Sequence, residues 1–216
     1  MWRFGKEIAM KKFFATVPLQ KEEQLKRLVY AAQGNSKLSM DEATSFPIIP
    51  AINGYVAPGE PFRVVAVVQD NADAKRNYGY LQEELHALCE RNGLSYPDRG
   101  VECVAGPADQ CVSSNVDMFQ TLIDLIEDDD ELFACVTYGT KPMSMALLTA
   151  IRYAYRLKRN TTVSCIVYGE VDRSGGDWKA KIYDETALVQ LDEITRILAE
   201  RGVAHPKESI EAILSL

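Results

Sequence analysis

Histidine, paired cysteine and surplus positive charge are what this chain of 216 residues has least of. Two histidines, His86 and His205, leave a zinc site or a histidine-based triad almost nothing to draw on. The five cysteines, at positions 89, 103, 111, 135 and 165, are odd in number and never fall in a C-x-x-C spacing. Reduced thiols are therefore expected, not a disulfide framework. Lys and Arg number 24 against 31 Asp and Glu, a net charge of −7. That argues against a non-specific nucleic-acid binder, whose affinity comes from neutralising many phosphates, and leaves room for a small anion held in one local pocket. No apolar run approaches the roughly eighteen residues that span a bilayer, and the first twelve residues lack a signal peptide's apolar stretch. No membrane association and a cytoplasmic location are expected. Neither G-x-x-x-x-G-K-[ST] nor G-x-G-x-x-G occurs in the loop that matters most, so two standard phosphate cradles are excluded there.

What is present is ordinary globular composition, 47% hydrophobic and 25% charged, enough for one domain with an appendage or two small ones. The organising stretch is 132–144. Its unbroken apolar run, Leu132 to Val136, reads as a buried parallel strand. From Pro142 the period changes, with Met143, Ala146, Leu147, Ala150, Ile151 and Ala154 on one helix face. Pro142 stands where a first helical residue would, at no cost in lost N–H bonds. The free amides of the next residues, with Thr140, Lys141 and Ser144 around them, read as a phosphate cradle. A plainer account stays open: Gly139 supplies a positive φ and Lys141 sits in water.

Around this stretch the chain alternates. Strands are expected at 13–17, 63–69, 101–105 and 163–168, and helices at 20–32, 75–91, from Ser114, and from Pro142 to about Arg159. A helix capped by Asp184 and a short one opened by Pro206 come after them. Residues 33–61, with four of the nine prolines, read as a long insertion in which 46–52 adds a short strand. The Gly-rich stretch 169–181 reads as a hairpin or loop tip, and the acidic run 127–131 as a solvated turn. Met10 looks a more natural beginning than Met1, making residues 1–9 a leader. The fold class is α/β: a Rossmann-like, doubly wound, mostly parallel sheet of five or six strands with helices on both faces, over 10–182, and a helical extension at 183–216. In such sheets ligands bind beyond the carboxyl ends of the strands where the strand order reverses, which pairs the turn at 17–20 with the loop at 138–144.

Thr137-Tyr-Gly-Thr-Lys-Pro-Met-Ser144 after an apolar strand resembles the signature loop of the CARF domains, the CRISPR-associated Rossmann-fold sensors, where the usual form is Thr-Gly-Gly-Thr-Lys-Pro-Met-Ser. The stretch from Tyr183 to Gly202 is similar to the segment after the sensor sheet in one branch of that family, and the resemblance covers roughly 10–202. Tyr138 departs from the pattern, which either narrows the pocket or adds a ring for a base to stack on. The resemblance implies a homodimer that binds a cyclic oligoadenylate in type III CRISPR defence, without cofactor or metal. The ligand contacts it implies are Val17, Pro18, Leu19 and Gln20 with Thr137, Tyr138, Gly139, Thr140, Lys141, Pro142, Met143 and Ser144. Lys141 would be the catalytic residue of a slow ring nuclease in which a ribose 2′-OH attacks its own phosphate. Two other readings stay open: a non-catalytic sensor signalling to a separate effector protein, and an unrelated Rossmann-like enzyme of nucleotides or sugar phosphates. An effector domain is not expected after Lys181, and Arg201 and His205 stand too close together for the HEPN ribonuclease signature.

Several residues carry two readings. Thr137 fits packing as well as ligand contact, and Gln20 and Lys21 fit plain solubility as well as a first-loop contact. Arg152, Tyr153 and Arg156 fit a dimer interface or solvent exposure. Asp172, Arg173 and Asp177 form a lid or nothing, and Trp178 is read as a packing anchor before a stacking platform.

Overall fold

Strands made of apolar residues on both faces can be satisfied only between two layers of helices, and the computed structural model, which describes residues 10–214, has that arrangement. The leader read at 1–9 lies outside the described residues. Seven strands form one sheet: β1 (Lys11–Thr16), β2 (Tyr30–Gln33), β3 (Phe62–Val68), β4 (Val101–Ala105), β5 (Glu131–Cys135), β6 (Thr162–Asp172) and β7 (Lys179–Asp184). Their order is β2-β7-β6-β5-β1-β3-β4, parallel except for the β6–β7 hairpin. The α/β, Rossmann-like class is as expected, with one or two strands more than expected.

One face of the sheet, with Phe13, Val64, Phe133 and Val167, packs under α1 (Ile48–Tyr55) and α2 (Ala72–Asn92). The other, with Phe14, Val65, Leu132 and Ile166, packs under α3 (Val112–Asp124) and α4 (Lys141–Leu157) and takes Val189 from α5 (Thr186–Glu200). A last helix, α6 (Pro206–Leu214), packs on α5.

Two expected elements differ. Residues 20–32 form no helix: a short 3-10 turn at Glu22–Gln24 leads into extended chain, and Tyr30–Gln33 joins the sheet edge beside β7. The spacing of Leu25, Leu28, Val29 and Ala32 imitated a helix face, yet Tyr30 is the buried residue and Val29 is 51% exposed. Edge pairing outweighed a weak local pattern. Residues 46–52 give no strand but the start of α1, whose Ile48, Ile49, Pro50, Ala51 and Ile52 are all buried. A short apolar run buried all round has no periodicity to read, and Pro50 is tolerated in the first turn, where no amide is needed.

The acidic run is not a solvated turn. Asp130 is 2% exposed and takes the ammonium of the fully buried Lys12 at 2.7 Å and the Glu127 amide at 2.6 Å. Lys12 also reaches Glu127 at 3.0 Å and the Leu125 carbonyl at 2.9 Å. Asp128 and Asp129 bind Arg159. The run therefore seals the amino-terminal edge of the sheet. The third helix starts at Val112, ahead of Ser114, because Asp109 Oδ1 accepts the Cys111 amide and the Ser114 hydroxyl.

Arg152 and Arg156 have partners within the chain, although Arg156 stays exposed and Arg152 partly so. Arg156 binds Asp192 at 2.8 Å and Glu193 at 2.9 Å, and Arg152 binds Asp192 at 3.6 Å, lashing α5 to α4. Tyr153 sits edge-on to Phe119. Hydrogen bonding to Arg196 first, then to Arg156, holds the Glu193 carboxyl down at about 2. A depressed carboxylate stabilises the fold above its ordinary value, and that contribution is lost as pH falls towards 2. Glu193→Gln should therefore flatten the decline of the unfolding free energy between pH 4.5 and 2, by about 1 kcal/mol or less because water screens the pair, as urea midpoints over that range would show. An unchanged slope would mean that the pairing of Glu193 with Arg196 and Arg156 contributes nothing.

Candidate phosphate-binding bend

The strand order reverses between β1 and β5, which lie side by side with Ala15 level with Cys135. Their carboxyl ends therefore release the turn at 17–20 and the bend at 138–144 next to each other. Thr16 Oγ1 donates to the Tyr138 carbonyl across the gap. Gly139 turns with φ +84°, and a Cβ there would come within 3.1 Å of Thr16 Cβ. Only glycine meets both conditions cheaply. Thr140 then caps α4 with an extended backbone, and Pro142 occupies its first turn. The first intrahelical bond of the turn runs from the Ser144 amide to the Thr140 carbonyl at 3.1 Å. The amides before it have no partner within the helix and give this end about half a positive charge.

Each residue singled out in the sequence has a definite place. Lys141 is exposed at the first helical position, and no ion pair involving it occurs among the described residues. Met143 is fully buried below the bend and accepts the Gln69 side-chain amide at 3.4 Å. Thr137 Oγ1 accepts the Gly169 amide at 2.8 Å, so it ties β6 to the bend. Val17 donates to the Val67 carbonyl and Pro18 is buried. The carbonyls of Pro18 and Gln20 both accept Asn77 Nδ2 at 2.9 Å, so α2 holds that turn. Leu19 packs on the core. Lys21 is exposed beside the 3-10 turn, in a segment that is not the helix expected there.

Tyr138 neither narrows the bend nor offers its ring to a ligand. The side chain turns inward onto the α1/α2 face, and its hydroxyl donates to the Ser45 carbonyl at 2.7 Å. Ser45 is fixed in turn by Glu84, whose buried carboxylate accepts its amide at 3.2 Å and the Thr44 hydroxyl. Burial pushes the Glu84 carboxyl up, against Thr44 and Arg27, which pull it down. Sequence reasoning missed this brace, because nothing local marks Glu84 among the polar residues of α2.

A scan against family models and a search of curated proteins return no match.

The electrostatics of the bend rest on the chain itself. Desolvation raises Tyr138 far above an ordinary phenol, and it also raises Tyr30, to about 12, and Cys135. All three stay protonated at neutral pH, so none acts as a base. Two enclosed polar atoms in the two loops lack a partner among the described residues: Thr140 Oγ1 in the bend and Gln20 Oε1 in the turn beyond β1. Buried polar atoms are normally satisfied, and those that are not by the chain itself are open to a water or a ligand. A cleft of about 520 Å³ lies elsewhere, lined by Glu22, Arg27, Tyr80, Glu83 and Glu84. Three carboxylates against one guanidinium give it the wrong sign for a phosphate.

Between α3 and α4 runs an apolar groove of about 500 Å³, lined by Val112, Val116, Phe119, Met145 and Ala146 and reaching Pro142 of the bend. Val112 is 80% and Met145 69% exposed, and no charged side chain lines the groove. Among the described residues, no group of three potential metal ligands comes together, and no helix is long and apolar enough to cross a membrane.

Proposed function

We propose that this chain is a CARF-type protein of type III CRISPR defence that binds a cyclic oligoadenylate as a homodimer and opens the ring slowly without metal. The observation that carries the reading is the bend itself. An exposed Lys141, a glycine only glycine can replace, unpaired first-turn amides and an unsatisfied Thr140 hydroxyl stand together at the β1/β5 switch point. These are donors and one cation, which suits phosphate oxygens. A single such bend is a weak anion site. Two facing copies would hold a ring of phosphates without a basic surface, which a chain of net charge −7 does not have.

The groove between α3 and α4 supports a second copy as the partner. Like-charged copies approach most cheaply through an uncharged face, and this one is continuous with Pro142. Met145→Asp with Val116→Asp should convert a dimer to a monomer in sedimentation and weaken ligand binding together with it. A variant that stays dimeric would place the interface elsewhere.

In the cleavage step a ribose 2′-oxygen forms a bond to its neighbouring phosphorus, the bond to the 5′-oxygen breaks, and the proton passes from the 2′-OH to that leaving oxygen. Lys141 and the amides would stabilise charge on the phosphoryl oxygens, so positioning supplies most of the acceleration. Because the ionisable groups behind the bend stay neutral, no general base is at hand and turnover is expected to be slow. Calorimetry with cyclic tetra-adenylate tests binding, and absence of heat at low-micromolar concentrations would end the proposal. Incubation in EDTA at enzyme excess tests chemistry: a ring left intact reduces the protein to a sensor acting through a separate effector.

A further inference from the structure

The bend supplies phosphate contacts but no aromatic surface, since Tyr138 is turned into the core. A ligand made of adenylates still has purine faces to cover, and the hairpin beside the bend is placed to cover one. β6 is level with β5 at Val167 and Cys135 and runs on to Asp172, about 17 Å further at strand rise. It passes the bend closely: Gly169 binds Thr137 and lies against Tyr30 and Pro47, where a Cβ would meet Pro47 Cγ at 2.4 Å. The overhanging tip is ordered by Asp172 Oδ1, which accepts the Ser174 amide at 2.9 Å and its hydroxyl at 2.6 Å.

On this tip stands Trp178, half-buried, with two cations over its ring. Lys26 Nζ is 4.1 Å and Arg173 Cζ 5.1 Å from the ring centroid. Lys26 comes from the segment that follows the 17–20 turn and the 3-10 turn after it, so that segment is tied to the tip. The Arg173 charge also bears on the Tyr138 and Tyr30 phenols, lowering both against burial.

We propose that Trp178 is the nucleobase platform of the same site, stacking one adenine of the bound ring while Arg173 and Lys26 turn from the indole to its phosphates. This rests on the proposed function. Magnitudes allow the exchange: the two exposed cations over the indole contribute about 1–2 kcal/mol together, and a base on an aromatic about 1–3 kcal/mol. The released cations then gain phosphate partners.

The chain has two tryptophans, Trp2 and Trp178, so in a Trp2→Phe background the emission reports Trp178 alone. Cyclic tetra-adenylate is titrated into that protein and into Trp178→Phe and Trp178→Ala versions, followed by emission and by calorimetry. Expected are quenching at saturation, roughly ten- to hundredfold weaker binding for Trp178→Ala, and near-normal binding for Trp178→Phe, which keeps a ring. Binding by calorimetry with unchanged emission, or with Trp178→Ala as tight as the parent, overturns this inference and leaves the proposed function standing. No binding by any version overturns both. Should Trp178→Ala fail to fold, the emission of the Trp2→Phe protein decides by itself.

Discussion

Lys12→Ala is expected to lower the unfolding free energy by about 3–5 kcal/mol, enough to leave a typical domain partly unfolded at 37 °C. The ammonium has no exposed surface and holds Asp130, Glu127 and the Leu125 carbonyl together. Without it, Asp130 keeps one short bond from the Glu127 amide and its charge stays buried. Burial already pushes that carboxyl up against the pull of Lys12, so the variant should be most stable in mild acid, where Asp130 takes a proton. Lys12→Met with Asp130→Asn removes both charges, keeps an acceptor for the Glu127 amide, and should recover most of the loss. Urea midpoints for the parent and both variants check this. A single variant as stable as the parent would mean that water reaches the pair.

The second large effect is on binding. Lys141→Ala is expected to weaken cyclic tetra-adenylate binding by two to four orders of magnitude while the urea midpoint stays put. A hydrogen bond to a charged group contributes about 1.5–3 kcal/mol. A two-fold site loses two lysines at once, about 3–6 kcal/mol, which at 1.4 kcal/mol per decade gives that range. Lys141 is exposed and makes no ion pair among the described residues, so the fold should not notice. Calorimetry beside a urea melt separates the two quantities. A loss under tenfold would mean that the first-turn amides hold the ligand and the lysine is solvent.

The central sheet could be read from the chain because its strands are long apolar runs and its helices strongly periodic. β1, β3, β5 and β6 with α2 and α4 lie near where apolar spacing put them, and the juxtaposition of the 17–20 and 138–144 loops came from topology. What misled was short or depended on distant partners. Tyr30–Gln33 is a strand only because β7 lies beside it. Asp130 is buried only because Lys12 arrives from more than a hundred residues away. Arg152 and Arg156 looked free because Asp192 and Glu193 belong to a later helix. Tyr138 illustrates the limit: its place in the loop was plain, but the direction of its ring depends on Ser45, which only the folded chain brings near.

The lashing of α5 to α4 has a mechanical corollary. The α4 rod is unbroken over 17 residues, about 26 Å, with Lys141 at one tip and Arg152 and Arg156 in its far half. Any displacement of the bend would have to be carried by this rod, whose Met143, Leu147, Ala150, Ile151 and Ala154 are anchored in the core, and the guanidinium clasps put α5 next in line. Leu188 and Ile197, exposed on that neighbour, are where such a shift would surface at the other edge of the molecule.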